Sequence, residues 1–425
     1  MMTTTSAARA PFSQPQELPP TGNTVLTRPE NRAFFPALDG LRAIAFLMVF
    51  GQHYLALAWG WTGVNLFFVL SGFLITGILY DTRNDLFRAR NFYLRRTLRI
   101  FPLYYGVFFL MLLLAPAVHW NWNRYWLAWP LYLGNFLRFL SPASGVYGSP
   151  LELAADAHLA ASRWLPRADL YVGHFWSLCV EEQFYLIWPW VVFLVKDRRK
   201  LMYVCAGYVV FGIVLRFYLQ AHAPQWMLSA ELLYRFTPAQ FDALLLGGLA
   251  ALLWRGAHRA RFLAVAQVLA GVGTLLAAWY LLVVVHHLRL STPQYPAWRL
   301  TLGLPFVNFY GAALIVCALS PGSLAFRLLH VRPLRWLGRL SYGAYVYHDI
   351  LHNFYAHLAV KLLRILGPRF LHYATPLTAV LALPATLVLA SLSFRFLETP
   401  FLNLKDRWTR HTPRESVALG SQSAT

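Results

Sequence analysis

The 425-residue chain is 58% hydrophobic and only 13% charged, with a mean hydropathy of +0.47. Ordinary soluble domains carry about 25% charge, so this composition excludes a soluble globular fold and points to an all-α integral membrane protein. The formal net charge of +20 sits in short loops between apolar runs, the pattern of topology determinants, and we read no nucleic-acid partner from it.

Residues 1–35 are rich in Ser, Thr and Pro and lack the apolar core of a signal peptide, so they are expected to be a disordered cytoplasmic lead-in. Apolar runs long enough to span a bilayer then follow near 38–58, 62–81, 100–118, 174–195, 201–220, 237–254, 262–286, 301–320, 340–362 and 373–396. The predicted fold is therefore about ten transmembrane helices. A shorter run, 125–141, is interrupted by Pro130, Gly134, Asn135 and Arg138, and parity decides its status. With ten spans, 24 basic residues share the side of the N-terminus, against about ten on the other side. An eleventh crossing would invert every later basic loop, so 125–141 is predicted to be re-entrant or interfacial, inside an external segment near 119–173 that serves as a lid or acceptor-facing element. Both termini are then cytoplasmic, and 401–425 forms a polar tail.

The first span holds Arg42 and His53, eleven residues apart. Eleven residues turn through about 1,100° and rise about 16 Å, so both side chains lie on one face at different depths. Ionisable groups in hydrocarbon cost at least ~2.5 kcal/mol each, which marks that face as functional. In the second span, Ser71-Gly72 is either a small-residue packing notch or part of a site. Next comes Asn91–Pro102, in which Arg96 and Arg99 are neighbours at i and i+3. Their guanidiniums either clamp phosphates through bidentate bonds or act as topology and lipid contacts. The run His174–Tyr185 contains the adjacent carboxylates Glu181 and Glu182. Depth counting brings Glu182 level with His53, where a carboxylate would orient an imidazole acting as a general base.

In the sixth span Asp242 is a lone buried acid, with function and packing equally open. The ninth span carries Ser341–Asp349, in which Tyr345, His348 and Asp349 form either a structural hydrogen-bond network or part of a site. Glu398, before Pro400, reads as a helix-end anchor. Cys179, Cys205 and Cys317 are widely separated in apolar spans and are expected to be buried thiols. There is no zinc-ligand spacing, phosphate-cradling loop or nucleophile elbow, and no bound metal or cofactor is expected.

In order and spacing these motifs resemble the membrane acyltransferase family 3: LDGLRAIA with its following histidine, NLFFVLSGFLIT, FYLRRTLRIFP, HFWSLCVEEQFYLIWP, SYGAYVYH and FLETP. The resemblance covers about residues 36–400, a single transmembrane acyltransferase domain. It implies a bacterial inner-membrane enzyme that moves an acyl group, by default acetyl, from cytoplasmic acyl-CoA to an extracytoplasmic carbohydrate or lipid-linked hydroxyl, among membrane lipids. It also implies His53 as catalytic base, Arg42 and Glu182 as its helpers, and Arg96 and Arg99 as the cytoplasmic arginine pair, with Ser71, Tyr345 and His348 around the donor. Family members with a C-terminal hydrolase-like domain exist, and this chain is expected to be a stand-alone form. The competing classes are a proton-coupled secondary transporter using the same intramembrane charges and a non-catalytic polysaccharide-assembly component.

Overall fold

The computed structural model describes residues 35–57, 59–114, 124–139, 172–229, 231–287 and 298–409. The expected N-terminal lead-in, most of the 119–173 segment and the end of the tail lie outside them. All regular structure among the described residues is helical. We number the helices of ten residues or more: α1 (Pro36–Leu55), α2 (Thr62–Asp81), α3 (Arg88–Leu114), α4 (Trp176–Val195), α5 (Arg198–His222), α6 (Thr237–Trp254), α7 (Arg259–His287), α8 (Leu304–Ala318), α9 (Arg332–Tyr347), α10 (His352–Leu366), α11 (Ala374–Ser393) and α12 (Thr399–Trp408).

The chain is a multipass membrane protein. Among the described residues, eight helical segments are long and apolar enough to cross a membrane, two fewer than the expected ten. The first difference is α1, which has the length of a span but carries Asp39, Arg42, Gln52 and His53. The second is the expected span 340–362, which is not one helix. The chain turns at His348–Leu351 between α9 and α10, and this break presents Asp349 to the interior.

Burial sorts the spans into layers. In α2 and α6 the apolar window is 78% buried inside the protein, whereas in α7 it is 11% buried and faces outward. The central pair can sit so close because Gly72 of α2 lies against the Leu244 carbonyl and Gly247 of α6 against the Val69 carbonyl, where a Cβ on either would collide. On the other side of α1, Phe46, Phe50 and Tyr54 pack with Leu337, Leu340 and Ala344 of α9 and with Ala379 and Ala382 of α11. α1 thus lies between α2 on one side and α9 and α11 on the other, and its polar residues Arg42 and His53 face cavities inside the bundle.

The 125–141 segment does not form a span. Its described part is two short 3-10 turns, Arg124–Ala128 and Gly134–Phe139, docked on α3 and α4. Trp129 is fully buried, and Tyr104 and Tyr105 of α3 donate to the carbonyls of Trp129 (2.7 Å) and Pro130 (2.8 Å). From α4, Gln183 donates to the Tyr132 carbonyl (2.6 Å) and to Asn135 Oδ1 (3.0 Å).

Asp242 is not lone. Arg216 of α5, fully buried, forks onto both of its carboxylate oxygens and also donates to the Ala239 carbonyl. A buried bidentate pair joining neighbouring helices accounts for this acid structurally. Glu398 is buried in the turn before α12 and accepts from Ser393 (3.4 Å), so it is tied to the bundle as a helix-end anchor would be. The expected tail begins as helix, residues 401–408 belonging to α12, and α12 meets α3 through Arg90, which donates to the Trp408 carbonyl (2.9 Å). All three cysteines are free and buried, as their apolar setting predicts.

Candidate active site

Val64 and Tyr345 line two neighbouring cavities inside the bundle. Those two side chains therefore stand between one chamber, rich in arginine, and another that contains His53.

The arginine chamber encloses about 110 Å³ and takes Arg42 from α1, Ser71 from α2, Arg96 and Arg99 from α3, and Glu181 and Glu182 from α4. α3 begins at Arg88, so the whole of FYLRRTLRIFP is helical, and the i, i+3 spacing aims both arginines into one cavity. Arg42 is held by Asp39 one turn earlier at 2.6 Å. Arg96 lies over the Tyr185 ring at 4.8 Å, and the Tyr185 hydroxyl meets Ser71 Oγ at 2.5 Å. The two readings of Ser71-Gly72 thus both hold, one per residue: Gly72 is the packing notch and Ser71 lines the chamber. Three guanidiniums facing two carboxylates make a site suited to a polyanionic ligand.

The histidine chamber encloses about 160 Å³. His53, near the end of α1, places Nδ1 3.1 Å from Asp349 Oδ2, whose side chain is 3% exposed. His174 Nδ1 is 3.8 Å from the same oxygen, and His352 Nδ1 is 3.5 Å from the other. Hydrogen-bond partners assign the tautomers. His348 Nδ1 donates to the Tyr345 carbonyl (2.7 Å) and His174 Nε2 to the Val346 carbonyl (3.1 Å). Both rings therefore turn bare nitrogens away from those carbonyls. His53 is left to donate from Nδ1 to Asp349, which frees its Nε2 as a base. Tyr345 donates its hydroxyl to the His174 carbonyl (2.9 Å) and so accepts from Ser177 (2.5 Å), which ties α9 to α4 beside His53. Tyr54 donates to the His348 carbonyl and stacks on Phe50 at 4.4 Å, anchoring the turn that carries Asp349. Single ligating atoms of His53, His348 and Asp349 lie within 4.8 Å of one another, close enough to converge on a cation and equally close enough for a hydrogen-bonded His–Asp pair.

The expected site residues thus divide between the chambers. Arg42, Ser71, Arg96, Arg99 and Glu182 line one. His53 lines the other, with His348 packed edge-on against it at 5.0 Å between ring centroids. Tyr345 lines both. Two expectations change. Glu182, expected beside His53, lies among the arginines, and the carboxylate at His53 is Asp349. Arg42, expected as a helper of His53, pairs with Asp39 about three turns away along the same helix. Depth counting fails for Glu182 because His174, the residue that opens the span, already lies level with His53 at Asp349, and Glu182 is eight residues, about 12 Å, further along α4. Asp349 was visible as an acid next to His348, but the helix break that aims it cannot be read from an apolar window. His174, Glu231 and Arg235 were not singled out, since each precedes a helix or sits in a one-turn piece without a periodic signal.

A bundle of apolar helices enclosing a buried His–Asp pair and an arginine-lined cavity defines a multipass membrane protein with its chemistry inside the helical core. The chain belongs to the acyltransferase family 3: residues 35–395 match that family's model, described as an acyltransferase domain. Among curated relatives, the peptidoglycan O-acetyltransferase OatA of Listeria monocytogenes is 30% identical over 382 residues, 87% of this chain and 56% of the relative. The putative peptidoglycan O-acetyltransferase YrhL of Bacillus subtilis is also 30% identical, over 87% of this chain and 55% of its own. A putative O-acetyltransferase of Staphylococcus aureus is 23% identical over 88% of this chain and 58% of its own. The chain spans little more than half the length of these relatives. No solved structure matches it.

Proposed function

We propose that the protein is a membrane O-acyltransferase that moves an acetyl group from acyl-CoA to a carbohydrate hydroxyl. The observation that carries this reading is the His53–Asp349 pair, 3.1 Å apart in a cavity that meets the arginine chamber at Tyr345. In this reading the CoA phosphates rest on Arg96 and Arg99, and the thin pantetheine arm reaches past Val64 and Tyr345. His53 Nε2 takes the proton of the acceptor hydroxyl as its oxygen attacks the thioester carbonyl. Asp349 holds the ring by Nδ1 and balances the imidazolium that forms. The carbon–sulfur bond then breaks, and the proton passes from His53 to the departing thiolate. The products are the O-acyl acceptor and free CoA thiol.

By the distribution of basic residues, the arginine end would face the cytoplasm of a bacterial inner membrane and the histidine end the outside. The names of the relatives support an O-acetyl transfer to a glycan. General base catalysis contributes about 10²–10⁴-fold, so His53→Ala should lower thiol release from acetyl-CoA by that factor while the protein still inserts. Purified protein in lipid nanodiscs with a thiol-reactive dye gives the measurement. Near-normal release from His53→Ala would sink the assignment, and no release from the wild type would sink the enzyme reading.

A further inference from the structure

The histidine chamber has a wall that the chemistry above leaves unused. It is built by Trp61, Trp176 and Tyr234 with the ion pair Glu231–Arg235. The one-turn helix Leu232–Arg235 lies between α5 and α6, and Arg235 Nε meets Glu231 Oε2 at 2.6 Å. The Tyr234 ring packs on Trp176 at 4.8 Å and edge-on to Trp61 at 5.6 Å, while the Arg235 guanidinium lies over Trp176 at 5.6 Å.

This wall is held by hydrogen bonds to its backbone, two from outside it and one within it. Asn135 donates to the Arg235 carbonyl (3.2 Å), Gln240 to the Tyr234 carbonyl (2.6 Å), and Tyr234 to the Trp61 carbonyl (2.8 Å). Glu231 itself is held at φ +62°, the left-handed region that an L-residue enters only at a cost. Such strain concentrates at ligand clamps, where the surroundings over-determine the backbone.

We infer that the Glu231–Arg235 pair and the aromatic rings of Trp61, Trp176 and Tyr234 form the acceptor subsite, and that they select a pyranose ring over an acyclic polyol; this rests on the transferase reading above. The physical basis is complementarity on two faces. A pyranose has an apolar C–H face, which gains by burial against aromatic rings, and a rim of hydroxyls that both donate and accept. The ion pair offers both: the guanidinium nitrogens not engaged by Glu231 donate, and the Glu231 carboxylate accepts. The pair itself is neutral, and with the Arg299 guanidinium 5.0 Å from the Trp61 ring the wall is polar without the clustered arginines of the other chamber. With the ring seated there, a substituent hydroxyl comes to His53 in the same cavity.

The test uses the full chain in lipid nanodiscs with acetyl-CoA and two acceptors, methyl hexopyranoside and glycerol, the second having hydroxyls but no ring face. Loss of a charge-assisted hydrogen bond is worth about tenfold or more, so Arg235→Lys should raise KM for the pyranoside about tenfold. Trp176→Leu should do the same by removing the ring contact. In both variants KM for glycerol and KM for acetyl-CoA should move less than twofold, a split that a general folding defect would not produce. Glu231→Gln, which keeps an acceptor oxygen, should raise the pyranoside KM by a smaller factor. An unchanged pyranoside KM in Arg235→Lys, or parallel loss with both acceptors, overturns the subsite while leaving the transferase reading standing. Absence of thiol release by the wild type with either acceptor overturns the transferase reading and the subsite with it.

Discussion

The two chambers that meet at Tyr345 are built from opposite chemistry. One is walled by guanidiniums and carboxylates on long helices, with Arg96 and Arg99 one turn apart on α3. The other is walled by imidazoles, aromatic rings and the single Glu231–Arg235 ion pair, with Asp349 held against His53, and it is supplied by helix ends and turns: the end of α1, the start of α4, the break after α9 and the one-turn helix before α6. The difference teaches how a bundle of straight helices separates binding from chemistry. Charges repeated on a continuous helix face make a surface for an anion of fixed sign. A proton-transfer site needs groups pointed at one spot from several directions, and chain breaks provide those directions.

If this division is right, the chambers should respond differently to single substitutions, and the largest difference should come at Asp349. Asp349→Asn keeps the shape but lets the amide donate toward His53, which favours the wrong tautomer. Turnover should fall about 10³-fold, with KM for acetyl-CoA moving little. Steady-state rates on the nanodisc protein check this, and a loss confined to KM would show that Asp349 serves binding instead. Next in size, Arg96→Ala and Arg99→Ala should each raise KM for acetyl-CoA about tenfold or more, the worth of a charge-assisted hydrogen bond. The same variants assayed with acetyl-pantetheine, which lacks the nucleotide phosphates, should match the wild type. An equal penalty with both donors would remove the phosphate-clamp role.

Smaller effects test the boundary itself. Tyr345→Phe removes the hydroxyl that joins His174 to Ser177 and should slow transfer roughly threefold to tenfold, the range of one net hydrogen bond. Because Tyr345 lines both chambers, KM should shift for donor and acceptor alike, and a shift in one alone would place the boundary elsewhere. Smallest of all, Glu182→Gln should change turnover by no more than about threefold and leave its pH profile unmoved, since its effect is confined to the donor side. A fall comparable with that of Asp349→Asn would restore the acid–base role that depth counting assigns to Glu182.

How much of this was legible in the sequence differs between the chambers for the same reason. Arg42, Arg96 and Arg99 lie on uninterrupted helices, where spacing alone gives the shared face, and the arginine chamber contains all three. His53 is likewise placed by its distance from Arg42. Its carboxylate partner differs from the expected one because Glu182 lies about 12 Å along α4 from His174, which shares Asp349 with His53, while Asp349 reaches the ring from the break after α9. Asp242 was open between function and packing until Arg216, 26 residues earlier, was seen to fork onto it.

By itself the amino-acid sequence determined the membrane class, the family, the approximate spans, the interrupted character of 125–141, and the residues on each helix face, because hydropathy and the 3.6-residue period act locally. Tertiary structure alone decided that α9 and α10 are two helices rather than one span, that Asp349 and not Glu182 reaches His53, and that the turn carrying Glu231 and Arg235 closes the same cavity. Those outcomes depend on the rotation of each helix about its axis and on where the chain breaks, and many distant contacts together set both.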